Sequence, residues 1–316
     1  MNKLDEYIKE IAGIFAGEPN RYKAHEKATP VLLAMGRDRE VLFDVFRKNL
    51  SDPAFINKER HYPTLAFDIF QDDNVGISGN CFMPLPDRST DLSFQSIHHH
   101  GKLLLSTVAA FGPGYHSIVF KKGFTFNKDS LVADIQMEKS YQFSEGSIEF
   151  IGSNQPHVVF FPEEVSITFA MWAYEVVNER TQKLKNNFLV RKFKEPIRFA
   201  LKKLRLLDKA GINAVEYFDF YPEGDKIKVL RNRVNFEAGS NENFLVNVFY
   251  VLQRAGFQDF EFLRSLKTRF PGNNALGNLV DKYIGGNKIM DEFYDFHKNV
   301  RYANLSRKDI LNALGV

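Results

Sequence analysis

The chain is poor in several things, and each shortage removes a class of explanation. It has one cysteine, Cys81, so no internal disulfide can form, which fits a reducing compartment and leads to the expectation of a cytoplasmic protein. No run approaches the ~18 consecutive apolar residues of a membrane span. The first ten residues alternate charged and apolar side chains and lack the continuous apolar core of a signal peptide. Charge of one sign is also scarce. Lys and Arg number 42 against 39 Asp and Glu, a net charge of +3, and the basic residues are interleaved with acids, so nucleic-acid binding gains little support. There is no Gly-x-Ser-x-Gly elbow and no Cys-x-x-Cys pair, which leaves nucleophilic hydrolases and zinc ribbons without their residues. Gly112-Pro-Gly114 lacks the Lys-Ser or Lys-Thr ending of a phosphate loop and reads as a turn. No internal repeat or low-complexity tract is visible.

What the sequence does hold is a large apolar complement, 44% of its 316 residues, including 31 phenylalanines. That is enough for one large domain or two of ordinary size with an aromatic core. Residues 1 to 50 carry the helical period. Leu4, Tyr7, Ile8, Ile11, Ile14 and Phe15 form one stripe ended by Gly17-Glu18-Pro19. A second helix is predicted from Tyr22 to Met35 with an interruption near Pro30, and a third carries Val41, Leu42, Val45, Phe46 and Leu50. These helices would pack on a neighbouring sheet or on another subunit, a homodimer being one arrangement.

From about residue 60 the period becomes two. Leu65–Phe70 and Val75–Phe82 flank a turn at Gln71–Asn74, and a loop from Met83 to Asp91 leads to further strand-like pieces. These are Lys102–Phe111, Tyr115–Phe120, Leu131–Gln136, Tyr141–Phe143, Ser147–Phe150, His157–Phe161 and Val165–Tyr174. Short strands at regular spacing predict an antiparallel sandwich or barrel, and the absence of a helix between residues 92 and 174 disfavours a parallel sheet. After Glu175 the reading is mainly helical. A mixed basic stretch (Lys183, Lys185, Arg191, Lys192, Lys202, Lys203, Arg205) runs to about Val234, then helices at Phe244–Leu252, Leu276–Tyr283, Ile289–Phe296 and Ser306–Leu314, the last with Ser306 as N-cap. The fold class is therefore α+β, divided as a helical segment 1–55, a β-barrel 56–178 and a helical region 179–316.

One stretch gathers the chemistry. In His98-His99-His100, extended backbone would turn the side chains of His98 and His100 to one face and His99 to the other. Two imidazoles side by side are half of a metal site. His157, opening an apolar strand after a Pro-containing turn about sixty residues on, is the candidate third ligand.

His98-x-His100, Gly112-Pro-Gly114, and then Gly146, Ile148, Pro156 and His157 ahead of the strand Val165–Met171 resemble the paired motifs of the cupin superfamily over roughly residues 90 to 175. The resemblance implies a double-stranded β-helix enclosing a metal. Its commoner pattern supplies a Glu shortly after His-x-His, and here no carboxylate follows His100 before Asp129. The remaining set, His98, His100 and His157, is similar to the three-histidine iron centres of the thiol-dioxygenase branch. The implied activity is a non-haem iron oxygenase, with Fe(II) as cofactor (Zn, Mn or Ni being other divalent choices) and a small-molecule substrate and O2 as partners.

Other site residues are candidates. His116 could be a fourth ligand, a nearby base or a surface residue. Tyr115, Tyr141, Arg88 and Gln95 could orient a substrate, and Cys81 could couple to Tyr115 or Tyr141, although a buried core thiol is the plainer reading. Met171 and Trp172 are expected in the core, and His25, His61 and His297 at surface or capping positions. Two rival functions stay open. One is a cupin-type isomerase or lyase using a divalent metal. The other is a non-enzymatic small-ligand sensor, against which stands the lack of a basic recognition helix after residue 240.

Overall fold

The computed structural model describes residues 2–58, 65–85, 88–175, 218–230, 240–289 and 305–316. Three helices open it: α1 (Lys3–Gly17), α2 (Arg21–Arg37) and α3 (Arg39–Leu50), followed by a single turn, α4 (Pro53–Ile56). Each begins on a side chain that satisfies an orphan N–H, Asn2 accepting from the Asp5 amide, Asn20 from Lys23, Asp38 from Glu40 and Asp52 from Ala54. The predicted interruption at Pro30 does not occur, because α2 runs through it. Proline deprives the carbonyl of Glu26 of its partner, but both residues are exposed, so water can replace the lost bond, and the buried face (Ala24, Ala28, Leu32, Met35) is untouched.

Thirteen strands follow among the described residues, all paired antiparallel. They are β1 (Leu65–Gln71), β2 (Gly76–Phe82), β3 (Ile97–His98), β4 (Leu103–Phe111), β5 (Tyr115–Phe120), β6 (Thr125–Phe126) and β7 (Val132–Asp134), then β8 (Met137–Phe143), β9 (Ile148–Ile151), β10 (His157–Val159), β11 (Ser166–Tyr174), β12 (Asp219–Glu223) and β13 (Lys226–Leu230). One sheet has the order β1-β2-β11-β4-β9 and the other β6-β7-β13-β12-β3-β10-β5-β8. Within them β2-β11-β4-β9 and β3-β10-β5-β8 alternate in sequence between the two sheets, which is the winding of a double-stranded β-helix, or jelly roll. The fold implied by the motif resemblance is therefore present. Gly112 and Gly114 make the β4–β5 corner at φ 87° and 82°, where a Cβ would lie 2.1 Å from the Val165 carbonyl oxygen and 1.6 Å from that of Phe143.

Helices cover the outer face of the five-stranded sheet. α2 lies on β4 and β11, and α3 on β1. The C-terminal helices α5 (Asn241–Ala255), α6 (Phe260–Arg269) and α7 (Asn274–Ile284) join the same core, where Phe244 meets Phe55 edge-on and Phe257 meets Phe46. The N-terminal helices thus pack on the sheet, one of the two arrangements the sequence allowed. A second core, Ile97, Ile118, Phe120, Val158, Phe160 and Phe220 with Ile310 of α8 (Arg307–Leu314), lies on the outer face of the eight-stranded sheet.

Two features depart from the sequence reading. Helix α6 was not anticipated, and the region beyond residue 178 is not wholly helical. The hairpin β12–β13 extends the sheet beside β3, with Asp219 opposite His98 and Phe220 opposite Ile97. Its turn, Glu223-Gly224-Asp225, between the alternating Phe218/Phe220 and Ile227/Val229, was the signal available. The basic stretch Lys183–Arg205, His61, His297 and most of the predicted helix Ile289–Phe296 lie outside the described residues. No helix among the described residues is long and apolar enough to cross a membrane.

Candidate metal centre

β3 is only two residues long, yet the predicted alternation holds through His100. β10 pairs with β3 so that His157 stands directly opposite His98. The ring centroids of His98, His100 and His157 are 5.0, 4.6 and 4.9 Å apart, and one nitrogen from each lies within 4.8 Å of the others. Among the described residues this is the group so arranged, and no carboxylate belongs to it. His99 points the other way, into Phe124 and Phe218 at 5.6 and 5.5 Å, with its Nδ1 accepting from the Gly101 amide at 2.9 Å. It takes no part in the cluster.

The rings are fixed as ligands require. His98 Nδ1 donates to the Ser96 carbonyl at 2.7 Å and His157 Nδ1 to that of Gln155 at 3.2 Å, which leaves each Nε2 with a free lone pair. The Nε2 atoms of His100 and His157 face each other at 3.2 Å, and two such atoms need a proton or a cation between them. Burial holds all three imidazoles below their ordinary range, His100 down to about 3 and His157 well below 6.5, with repulsion from the neighbouring histidines adding to it at His100 and His157. Neutral, converging imidazoles with oriented outer nitrogens fit a divalent transition metal.

The three histidines sit in the wall of a cavity of about 360 Å³ between the two sheets. Its walls are partly apolar (Phe82, Phe94, Leu103, Leu105, Ile151) and partly polar. Tyr115 and Gln95, both candidates, line it. Tyr115 is buried, and burial together with the charge of Glu149 raises its phenol well above the ordinary range. His116, next along β5, falls on the opposite face beside Arg307 and Asp91 and does not reach the cavity. Tyr141 is outside it too, under the Lys139 ammonium at 4.9 Å. Arg88 donates to the Glu163 carbonyl on a loop. Cys81 is a buried thiol on the far face of β2 from the cavity-lining Ser78 and Asn80, so it is a core residue and not a partner for Tyr115.

Two expectations are corrected. Trp172 is not core: it lines the cavity, and its indole occupies the space beside Gly76, where a Cβ would come within 2.2 Å of the ring. Met171, its neighbour on the other face, is fully buried as expected. His25 is neither surface nor cap. It is 1% exposed under α2, its Nδ1 2.8 Å from Ser106 Oγ of β4, and burial lowers its pKa to about 4.

Two acidic residues were missed. Glu149 of β9, 8% exposed, lines the cavity. Asp219 of β12 accepts at 2.8 Å from Oγ of Ser96, the residue whose carbonyl orients His98, and its carboxyl is raised by burial. The alternation in Ser147–Ile151 does place Glu149 and Ile151 on one face. The apolar pair Ile148 and Phe150 lies on the other face, 37% and 39% exposed.

No protein-family model matches the sequence, and no curated protein sequence matches it. Solved structures with partial overlap include proteins described as cupins or as carrying a double-stranded β-helix. A DMSP lyase of Ruegeria pomeroyi is 11% identical, with 40% of this chain and 52% of that chain covered at a TM-score of 0.24. An rmlc-like cupin family protein of Methanocaldococcus jannaschii is 11% identical over 35% of this chain and 81% of that chain, TM-score 0.23. A chain from a set described as crystal structures of DMSP lyases is 12% identical, with 34% of this chain and 46% of that chain covered at a TM-score of 0.22, so this chain spans about half of its length. At these scores the fold reading rests on the strand order itself.

Proposed function

We propose that this protein is a metal-dependent oxidoreductase, a non-haem iron oxygenase acting on a small metabolite inside the barrel. The observation that carries the reading is the donor set: three neutral imidazoles within 4.8 Å of one another, with no carboxylate among them, on the wall of a cavity between the two sheets. Three neutral ligands leave the charge of a dication uncompensated and coordination positions open, which suits an anionic or chelating substrate together with dioxygen. Iron held by His98, His100 and His157 would supply the one-electron chemistry that no side chain can. The chain's own residues hold the His98 and His157 rings in one tautomer, and Phe82, Phe94 and Leu105 keep water from the substrate's apolar part. Gln95 and Tyr115 offer hydrogen bonds that fix its orientation.

A second reading, a divalent-metal lyase or isomerase, is favoured by one feature, the ionisable Glu149 and Tyr115 in the same cavity. The test is elemental analysis of protein reconstituted anaerobically with ferrous iron, followed by an oxygen-uptake screen across thiols and small acids, with His157→Ala alongside. About one iron per chain, lost in the variant, with substrate-dependent oxygen uptake, supports the oxygenase. Substrate conversion without oxygen uptake selects the second reading. No metal in either protein sinks both and leaves a small-ligand sensor.

A further inference from the structure

Glu149 is the one charged side chain lining the histidine cavity among the described residues. The neighbours explain poorly why it is there. Burying a carboxylate is costly unless hydrogen bonds and an opposite charge repay it. Here the buried Oε1 lies 3.3 Å from Lys139 Nζ, at the margin of hydrogen-bonding geometry, and Lys139 on β8 is itself 46% exposed, so the pair is solvent-screened on one side. A merely structural ion pair between β8 and β9 would avoid that desolvation by pointing outward, where Ile148 and Phe150 stand half-exposed instead. The groups that act on Glu149 are Lys139, which favours its anion, and Glu138, which opposes it. With burial the largest influence, its carboxyl is pushed up to about 7. Such a group is divided between its two protonation states near neutral pH. Thr107, Tyr115 and Thr168 share its part of the wall.

We propose that Glu149 is the proton acceptor of this cavity, taking the proton of a small chelating molecule that binds at the three imidazoles as its anion. The inference deepens the metal-centre reading and rests on it. The ligand class is that of weakly acidic chelators, such as thiols, enols and hydroxamic acids, which bind a metal through a heteroatom only after losing a proton. The O–H or S–H bond breaks heterolytically. Its electron pair stays on the heteroatom, and the proton ends on the Glu149 carboxylate as a neutral carboxylic acid. No electron is transferred and no co-reactant is needed. A cavity of about 360 Å³ is at the small end for ligand sites, so an occupant held at the histidines also meets the remaining polar wall.

Acetohydroxamic acid binding to the Co(II)-reconstituted protein tests this without a known substrate. Titration calorimetry in two buffers of different ionisation enthalpy, at about pH 7.5, counts the protons given to buffer. An anion bound beside Glu149 raises its hold on the proton, so the wild-type protein is expected to release clearly less than one proton and Glu149→Gln close to one per ligand bound, with unchanged cobalt stoichiometry. A protonated-carboxyl infrared band should appear on ligand addition to the wild-type protein, a measurement that stands even if the variant does not fold. Release of a full proton by the wild-type protein, with no such band, overturns the proposal while leaving the metal centre intact. Absence of any cobalt spectrum overturns the metal reading and the proposal together.

Discussion

The inner and outer faces of the same strands both bury histidines, and they use them differently. Outside, His25 meets Ser106 beneath α2, and His99 packs among Phe124, Phe218 and Phe220. Inside, His98, His100 and His157 converge on open volume. Burial lowers the pKa on both sides, to about 4 for His25 outside and to about 3 for His100 inside. A depressed imidazole therefore does not mark the functional face. Convergence on a cavity does, because a ligand must reach three lone pairs at once.

The sharpest way to break this comparison is to exchange the two faces of the histidine run. His100→Ala should lose metal binding altogether, an effect beyond the roughly 10–100-fold that accompanies loss of a residue supporting a ligand. His99→Phe should keep one metal per chain, since its ring already sits in an aromatic nest. Equilibrium dialysis with Co(II) reads both. Equal loss in the two variants would mean that the cluster forms only through the whole segment and that facing is irrelevant.

Truncation tests the packing side of the contrast. Phe220 is fully buried, its ring 4.9 Å from Phe124, so Phe220→Ala should cost roughly 3–5 kcal/mol. Leu105 faces the cavity, where part of its surface has no neighbour to lose, and Leu105→Ala should cost about 2 kcal/mol or less. Urea unfolding of the two variants measures the difference. Similar costs would show that the inner wall is as close-packed as the outer core.

The same contrast explains what could be read from the sequence. Helices α1 and α3, the β1–β2 hairpin and the strands of the barrel carry strong periods, and their pattern needed no tertiary information. The histidine cluster was legible because alternation in His98-His99-His100 is a backbone property and β10 begins at His157. Glu149 was not, because strand parity is assigned by putting apolar residues inward, and β9 reverses that rule, turning Glu149 to the cavity while Ile148 and Phe150 stand exposed on its other face. Asp219 came from a hairpin more than a hundred residues beyond His98, in a stretch whose basic composition resembled helix. Sequence order gave no hint that it would join β3.

His25 offers a pH test confined to the outer face. Its folded-state pKa, about 4, lies below the ordinary 6.5. The unfolded chain therefore binds a proton that the folded one refuses as pH falls between those values. The stability associated with the neutral ring is fully present above about pH 6.5 and is lost on the way down to about pH 4, by roughly 3 kcal/mol in all. His25→Gln should flatten that acid limb in a series of urea midpoints. An unchanged limb would assign it to other groups.

The smallest expected effect asks whether the outer hairpin contributes to the inner site. Asp219 accepts from Ser96 Oγ, and the Ser96 carbonyl accepts from His98 Nδ1, so β12 places a negative charge one residue behind a neutral ligand. Asp219→Asn keeps an acceptor for Ser96 and removes the charge. If the charge helps a three-imidazole site hold a dication, affinity should fall by about 10-fold, the low end of the range for groups supporting a ligand, or about 1.4 kcal/mol. Ser96→Ala breaks the hydrogen bond and leaves the charge in place. Competition with a chromophoric chelator separates the two variants. A loss confined to Asp219→Asn would make residues 219–230 part of the metal centre by charge. A loss confined to Ser96→Ala would make the hydrogen bond the contribution, and loss in neither would reduce the hairpin to a cover over the sheet edge.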